Sequence, residues 1–96
     1  MSNRSSQQPY YRIEFAKSAC KEFQKLPNTI QKRIIKTLDI LKTDPFNEIL
    51  KIRKLRGREN LFRIRVGDYR IIYSVESSEM LFIFRIRHRK DVYENI

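Results

Sequence analysis

The chain contains a single cysteine, a single histidine and only 11 acidic residues against 21 lysines and arginines. A lone Cys20 rules out an internal disulfide, and with His88 as the only histidine there is no Cys/His cluster of the kind that holds zinc. No apolar run approaches the ~20 residues of a membrane-spanning helix, and the opening segment Met1–Pro9 lacks an apolar core of signal-peptide length. A reducing cytoplasm is the expected compartment, with no membrane partner. Residues 1–9 read as a disordered polar tail, and 10–96 as one domain, because 96 residues suit one compact unit and leave no room for a second. Glycine and proline, at 2 and 3 copies, are scarce enough that each one marks a boundary.

What is abundant is positive charge. The formal net charge is +10, which favours a polyanionic partner such as nucleic acid over an acidic small molecule. The charge is patterned. In Phe62–Tyr73 apolar side chains alternate with arginines on either side of Gly67-Asp68, the pattern of a β-hairpin with guanidinium groups on one face. A two-residue turn there sets Arg65 opposite Arg70, a like-charge pair that costs stability unless an anion sits between them, and phosphate is the natural candidate. A second turn at Ser77-Ser78 would pair Val75 with Met80, Tyr73 with Phe82 and Arg70 with Arg85, giving a row of Arg65, Arg70 and Arg85 across three strands. The other face would then be an apolar wall of Phe62, Ile64, Val66, Tyr69, Ile71, Tyr73, Val75, Met80, Phe82, Phe84 and Ile86.

Upstream, Tyr10–Phe15 alternates like a strand. Ala16, Ala19, Phe23 and Leu26 recur at helical spacing until Pro27 ends the run. Asn28 with Gln31 has the spacing of a capping box opening a second helix, with Ile30, Ile34, Leu38 and Leu41 on one stripe and Asp44-Pro45 as its stop. Residues 46–60 form a basic loop or ragged strand carrying Lys51, Arg53, Lys54, Arg56 and Arg58, with a turn at Gly57; it reads either as an electrostatic footprint for a nucleic-acid backbone or as a solvated connection. A short helical turn is expected near Arg89–Asn95. The fold class is therefore α+β in the order β-α-α-β-β-β, a small antiparallel sheet with a two-helix hairpin packed on one face.

The phrases Lys21–Pro27, Lys54–Gly57, Phe62–Tyr73 and Ile86–Tyr93, in this order and spacing, resemble the RelE toxins of the RelE/ParE superfamily, over about residues 10–93. The resemblance implies a toxin that enters the ribosomal A site and cuts mRNA there, held inactive by a cognate antitoxin; the basic surface suggests an antitoxin segment rich in Asp and Glu. It implies metal-free chemistry without a cofactor: the 2′-hydroxyl attacks the adjacent phosphate, leaving a 2′,3′-cyclic phosphate and a free 5′-hydroxyl. Such a reaction needs a base, a proton donor and cations for the charge that builds on the phosphorane. By resemblance Arg70 stabilises the transition state, Arg89 lies near the leaving group, and Tyr93 stacks on or orients the RNA. Arg63, Arg85, Arg87, Lys51 and Lys54 are expected to bind substrate.

Arg63 and Arg65 occupy the two remaining positions of the pattern, where the best-known member has lysines and uses the second as general base. A guanidinium is a very poor proton acceptor at neutral pH. Either a substrate or ribosomal group takes the proton, or another residue does, or the protein acts mainly by charge and positioning. His88 has the right intrinsic chemistry, but strand alternation turns it away from Arg87 and Arg89, which suits a capping or packing histidine. Tyr69 and Tyr73 read as core aromatics. Two other classes share the scaffold: a ParE-like gyrase inhibitor, and a catalytically silent RNA- or antitoxin-binding module.

Overall fold

The structure, a computed structural model, describes residues 10–55, 57 and 60–90. The proposed tail at 1–9, Arg56, Arg58 and most of the expected terminal helical turn, including Tyr93, lie outside the described residues. Strand β1 (Arg12–Phe15) leads into helices α1 (Lys17–Gln24) and α2 (Asn28–Thr43), a 3-10 turn at Glu48–Leu50, and strands β2 (Arg53–Lys54), β3 (Leu61–Val66), β4 (Tyr69–Ser77) and β5 (Met80–His88). The expected α+β order is present, with two refinements. The sheet runs β1-β5-β4-β3-β2, and β1 joins it parallel to β5, so the sheet is mixed. The basic connection contributes a two-residue edge strand, β2, antiparallel to β3. No helix among the described residues is long and apolar enough to cross a membrane.

The helices form where the apolar spacing puts them, but their junction is built differently from a capping box. Pro27 occupies the cap position of α2 and Asn28 is already helical, with no side-chain cap. Gln31 Nε2 instead donates to the Phe23 carbonyl at 2.9 Å, tying the end of α1 to the first turn of α2. Proline at the boundary has no N–H to satisfy, so the capping demand there is reduced and the Gln31 amide is available for the neighbouring helix.

The β3–β4 hairpin has the expected register, with Arg65 opposite Arg70 and Ile64 opposite Ile71. Gly67 takes φ 60 at the first turn position, as a type II′ turn requires. A Cβ built there would sit 2.9 Å from Arg33 Nη1. Because the arginine can move and the backbone cannot, the left-handed φ sets the cost. Gly67→Ala is expected to lower stability by about 1–2 kcal/mol in a urea titration.

The β4–β5 hairpin differs from expectation because its turn is Ser78-Glu79, one residue later than expected, and because two bulges interrupt the ladder. Ser77 pairs with Met80, but Glu76 is an extra residue, so Val75 faces Leu81 and Tyr73 faces Ile83. Phe84 is a second extra residue, after which Ile72 faces Arg85, Ile71 faces Ile86 and Arg70 faces Arg87. The core side of β5 is therefore Leu81, Ile83 and Ile86, each 0–2% exposed, and not Met80, Phe82 and Phe84. Phe82 and Phe84 meet edge to face at 4.8 Å, and neither packs on the main core. The later turn also shifts the pairing by two positions, so the arginine opposite Arg70 is Arg87, and Arg85 faces Ile72.

The core lies between the helices and one face of the sheet: Ala19 from α1, Ile34, Leu38 and Leu41 from α2, and Ile64, Val66, Ile71, Tyr73, Leu81, Ile83 and Ile86 from the strands. Tyr73 is fully buried, stacks on Phe62 at 5.5 Å and donates its hydroxyl to the Pro45 carbonyl at 2.8 Å. Burial, reinforced by the Asp44 carboxylate, pushes its phenol pKa above the usual range, so it remains a donor. The outer face of the sheet is left for the arginines.

Candidate nucleic-acid interface

Residues directly opposite one another across antiparallel strands share a face, so the pairing defines two rows of cations. One row is Arg65, Arg70 and Arg87 across β3, β4 and β5; the next is Arg53, Arg63, Ile72 and Arg85 across β2 to β5. Three of these neighbours are like-charge pairs: Arg65–Arg70, Arg70–Arg87 and Arg53–Arg63. Such stacking is destabilising in the free protein and becomes favourable once an anion bridges the row.

The members of the rows differ in setting. Arg65 is exposed, whereas Arg70 is 4% exposed and its Nη1 donates to the carbonyls of Gly67 and Tyr69 at 3.1 and 3.0 Å. Arg70 thus braces its own hairpin as well as carrying charge into the centre of the sheet. Lys51, Ile52, Arg53, Arg63 and Arg65 line a cleft of about 470 Å³ at the β2–β3 edge, four cations around one opening. Lys51 reaches it from a left-handed backbone position, φ 54, that ends the 3-10 turn. Lys54 pairs with Phe62, and alternation puts it on the face opposite Arg53 and away from this cleft. Arg53, counted in the sequence only as one cation of a loop, belongs to the cleft because β2 pairs with β3.

At the far edge, Glu22 of α1 meets both Arg85 and Arg87: its Oε2 lies 3.3 Å from Arg85 Nε and 3.6 Å from Arg87 Nε. Beyond β5, Arg89 is exposed; its amide donates to the Asp68 carbonyl at 2.7 Å and its Nε is 4.0 Å from Asp68 Oδ1, which holds the start of the C-terminal segment against the β3–β4 turn. His88 pairs with Tyr69 on the core side, edge to face at 5.3 Å, and its Nδ1 accepts from the Lys90 amide at 3.2 Å. The structure thus brings Arg63, Arg65, Arg70, Arg85 and Arg87 onto one face with Lys51 beside them. Two lines of cations of this kind can bind a phosphodiester backbone and neutralise charge developing on a phosphate.

A basic-faced mixed sheet backed by a helical hairpin defines a small α+β toxin class, and comparisons with known proteins agree. Residues 13–93 match the family described as the ParE toxin of type II toxin–antitoxin systems, parDE. Toxin RelE3 of Methanocaldococcus jannaschii is 35% identical over 85 residues, covering 86% of this chain and 96% of that one. The mRNA interferase toxin RelE of Escherichia coli K12 is 28% identical over 88 residues, covering 86% and 90%. Among solved structures, the archaeal RelE-RelB complex from Pyrococcus horikoshii contains a chain that superposes with a TM-score of 0.72 at 34% identity, covering 83% of this chain and 96% of that chain. The chain belongs to the RelE/ParE superfamily of type II toxin–antitoxin toxins.

Proposed function

We propose that this toxin is a ribosome-dependent endoribonuclease that cleaves mRNA in the A site by metal-free attack of a 2′-hydroxyl on the adjacent phosphate. The observation that carries this reading is the row Arg65–Arg70–Arg87, flanked by the Lys51–Arg53–Arg63 cleft. Arg70 supplies positive charge to the phosphorane, Arg87 and Arg89 serve the leaving-group side, and Tyr93 orients a base. Arg63, Arg65, Arg85 and Lys51 hold the backbone, and Lys54, on the other face of β2, does not. Arg65 cannot serve as the base, so the 2′-hydroxyl proton leaves to a group other than this guanidinium. The name of the Escherichia coli relative, an mRNA interferase, supports the reaction class.

The same reading assigns the chain a cytoplasmic site of action and a cognate antitoxin partner, by analogy with the RelE-RelB complexes. An acidic antitoxin segment that orders on binding complements a surface of net charge +10. The description of the matching family as ParE keeps gyrase inhibition as the second reading. Toe-printing of a programmed ribosome with purified protein separates the two: a defined A-site stop is expected here, and its absence together with inhibition of supercoiling would establish the second reading.

A further inference from the structure

The edge of β5 is open beyond Ile83, because β1 ends at Phe15, its partner in the ladder, and Ala16 makes the last backbone bond, to the Ile83 carbonyl at 2.9 Å. Helix α1 takes over that edge with two side chains one turn apart. Ser18 Oγ donates to the Phe84 carbonyl at 3.4 Å, and Glu22 Oε1 accepts from the Ile86 amide at 2.8 Å. The backbone at the Phe84 bulge is thus held by a helix where a strand would otherwise be needed. Glu22 does a second thing from the same position: its other oxygen is shared between Arg85 and Arg87. Arg85 Nε is buried and out of line for a hydrogen bond, so that contact is one of charge.

We propose that Glu22 is a positioning residue for Arg87. The contact, 3.6 Å at Nε, is one of charge like that to Arg85; it sets the counter-charge at the base of the guanidinium and leaves the terminal nitrogens for a phosphate. The need for it follows from the row itself. Arg87 stands directly opposite Arg70, and without a counter-charge on its outer side mutual repulsion would swing Arg87, the less buried of the two, away from the site. Glu22 is 23% exposed at its side chain, which limits screening by water. This assignment rests on the nuclease reading for its catalytic consequence, but its geometric part does not.

The test is Glu22→Gln, which keeps an acceptor for the Ile86 amide and removes the charge. In single-turnover cleavage of ribosome-bound mRNA, the rate at saturating protein is expected to fall at least about tenfold, the scale of a displaced catalytic group. Half-saturation should come at no higher concentration than for wild type, because one negative charge has left a polyanion-binding face. In an Arg87→Ala background the same change should have no further effect. A wild-type rate at saturation, or losses that multiply in the double variant, would overturn the proposal. Proton exchange at Arg87 Nε, followed by NMR and assigned with Arg87→Lys, reads the geometry without any cleavage. It should be several-fold faster in Glu22→Gln than in wild type, because the nearby carboxylate repels the hydroxide that catalyses exchange, with the Ile86 amide still protected. If wild type does not cut mRNA the nuclease reading fails, and the exchange result alone decides whether Glu22 holds Arg87; equal exchange in both proteins would overturn the assignment.

Discussion

Arg70→Ala should lower the rate of mRNA cleavage by at least about 100-fold at saturating protein, the scale set by losing one donor to a developing oxyanion. Arg70 is the central member of the row, flanked by Arg65 on β3 and Arg87 on β5, so a phosphate bridging either neighbour lies against its charge. The variant also removes two hydrogen bonds to the turn carbonyls of Gly67 and Tyr69, so its melting temperature has to be recorded alongside. Arg70→Lys helps to separate the effects: it retains the charge and loses the planar fork, and should recover only part of the rate. Lys51→Ala, at the rim of the cleft, should behave differently, weakening association and flattening its salt dependence by about one unit of slope while leaving the saturated rate near wild type. A binding defect is rescued by concentration and a chemical one is not. Wild-type cleavage by a folded Arg70→Ala variant at saturation would reduce the arginine row to a docking surface.

The parts of this molecule that were legible in the sequence are those governed by local rules. Gly67-Asp68 flanked by strict alternation set the β3–β4 register, and with it the Arg65–Arg70 pair, because a two-residue turn leaves no freedom in the pairing. The helices followed from apolar spacing and from Pro27. The parts that were not legible depend on distant partners. Nothing in Glu76 or Phe84 marks either as a bulge, since each extends an acceptable strand pattern, and only packing against the helices selects Leu81 and Ile83 over Met80 and Phe82. Bulges in opposite strands cancel, so Ile86 and Arg87 return to their expected faces although the residues between Met80 and Phe84 do not. Glu22 was similarly hidden: its bond to the Ile86 amide spans 64 residues, and within α1 it looks like any solvated glutamate. The capping-box spacing of Asn28 and Gln31 was a local signal that a nearby carbonyl outcompeted.

The reversal of faces in the first half of β5 has a direct energetic consequence. Ile83 is fully buried in the main core opposite Tyr73, whereas Phe84 lies at the bulge and Phe82 opposite Ser74, both only partly buried. Ile83→Ala should therefore cost about 2–5 kcal/mol, the range for a buried aliphatic side chain whose cavity cannot fully collapse. Phe82→Ala removes a larger side chain, yet chiefly loses its edge-to-face contact with Phe84 and partial burial, and should cost about 1–2 kcal/mol. Size alone would give the opposite ranking, since a phenylalanine in a core is normally at least as costly to truncate as an isoleucine. Urea titrations of both variants, compared at equal m-value, decide between the two rankings. A greater loss for Phe82→Ala than for Ile83→Ala would mean that Phe82 belongs to the core. The bulge at Glu76 would then be absent and the faces of residues 81–84 would have to be redrawn, while Arg70 would keep Arg87 as its neighbour because the two bulges cancel.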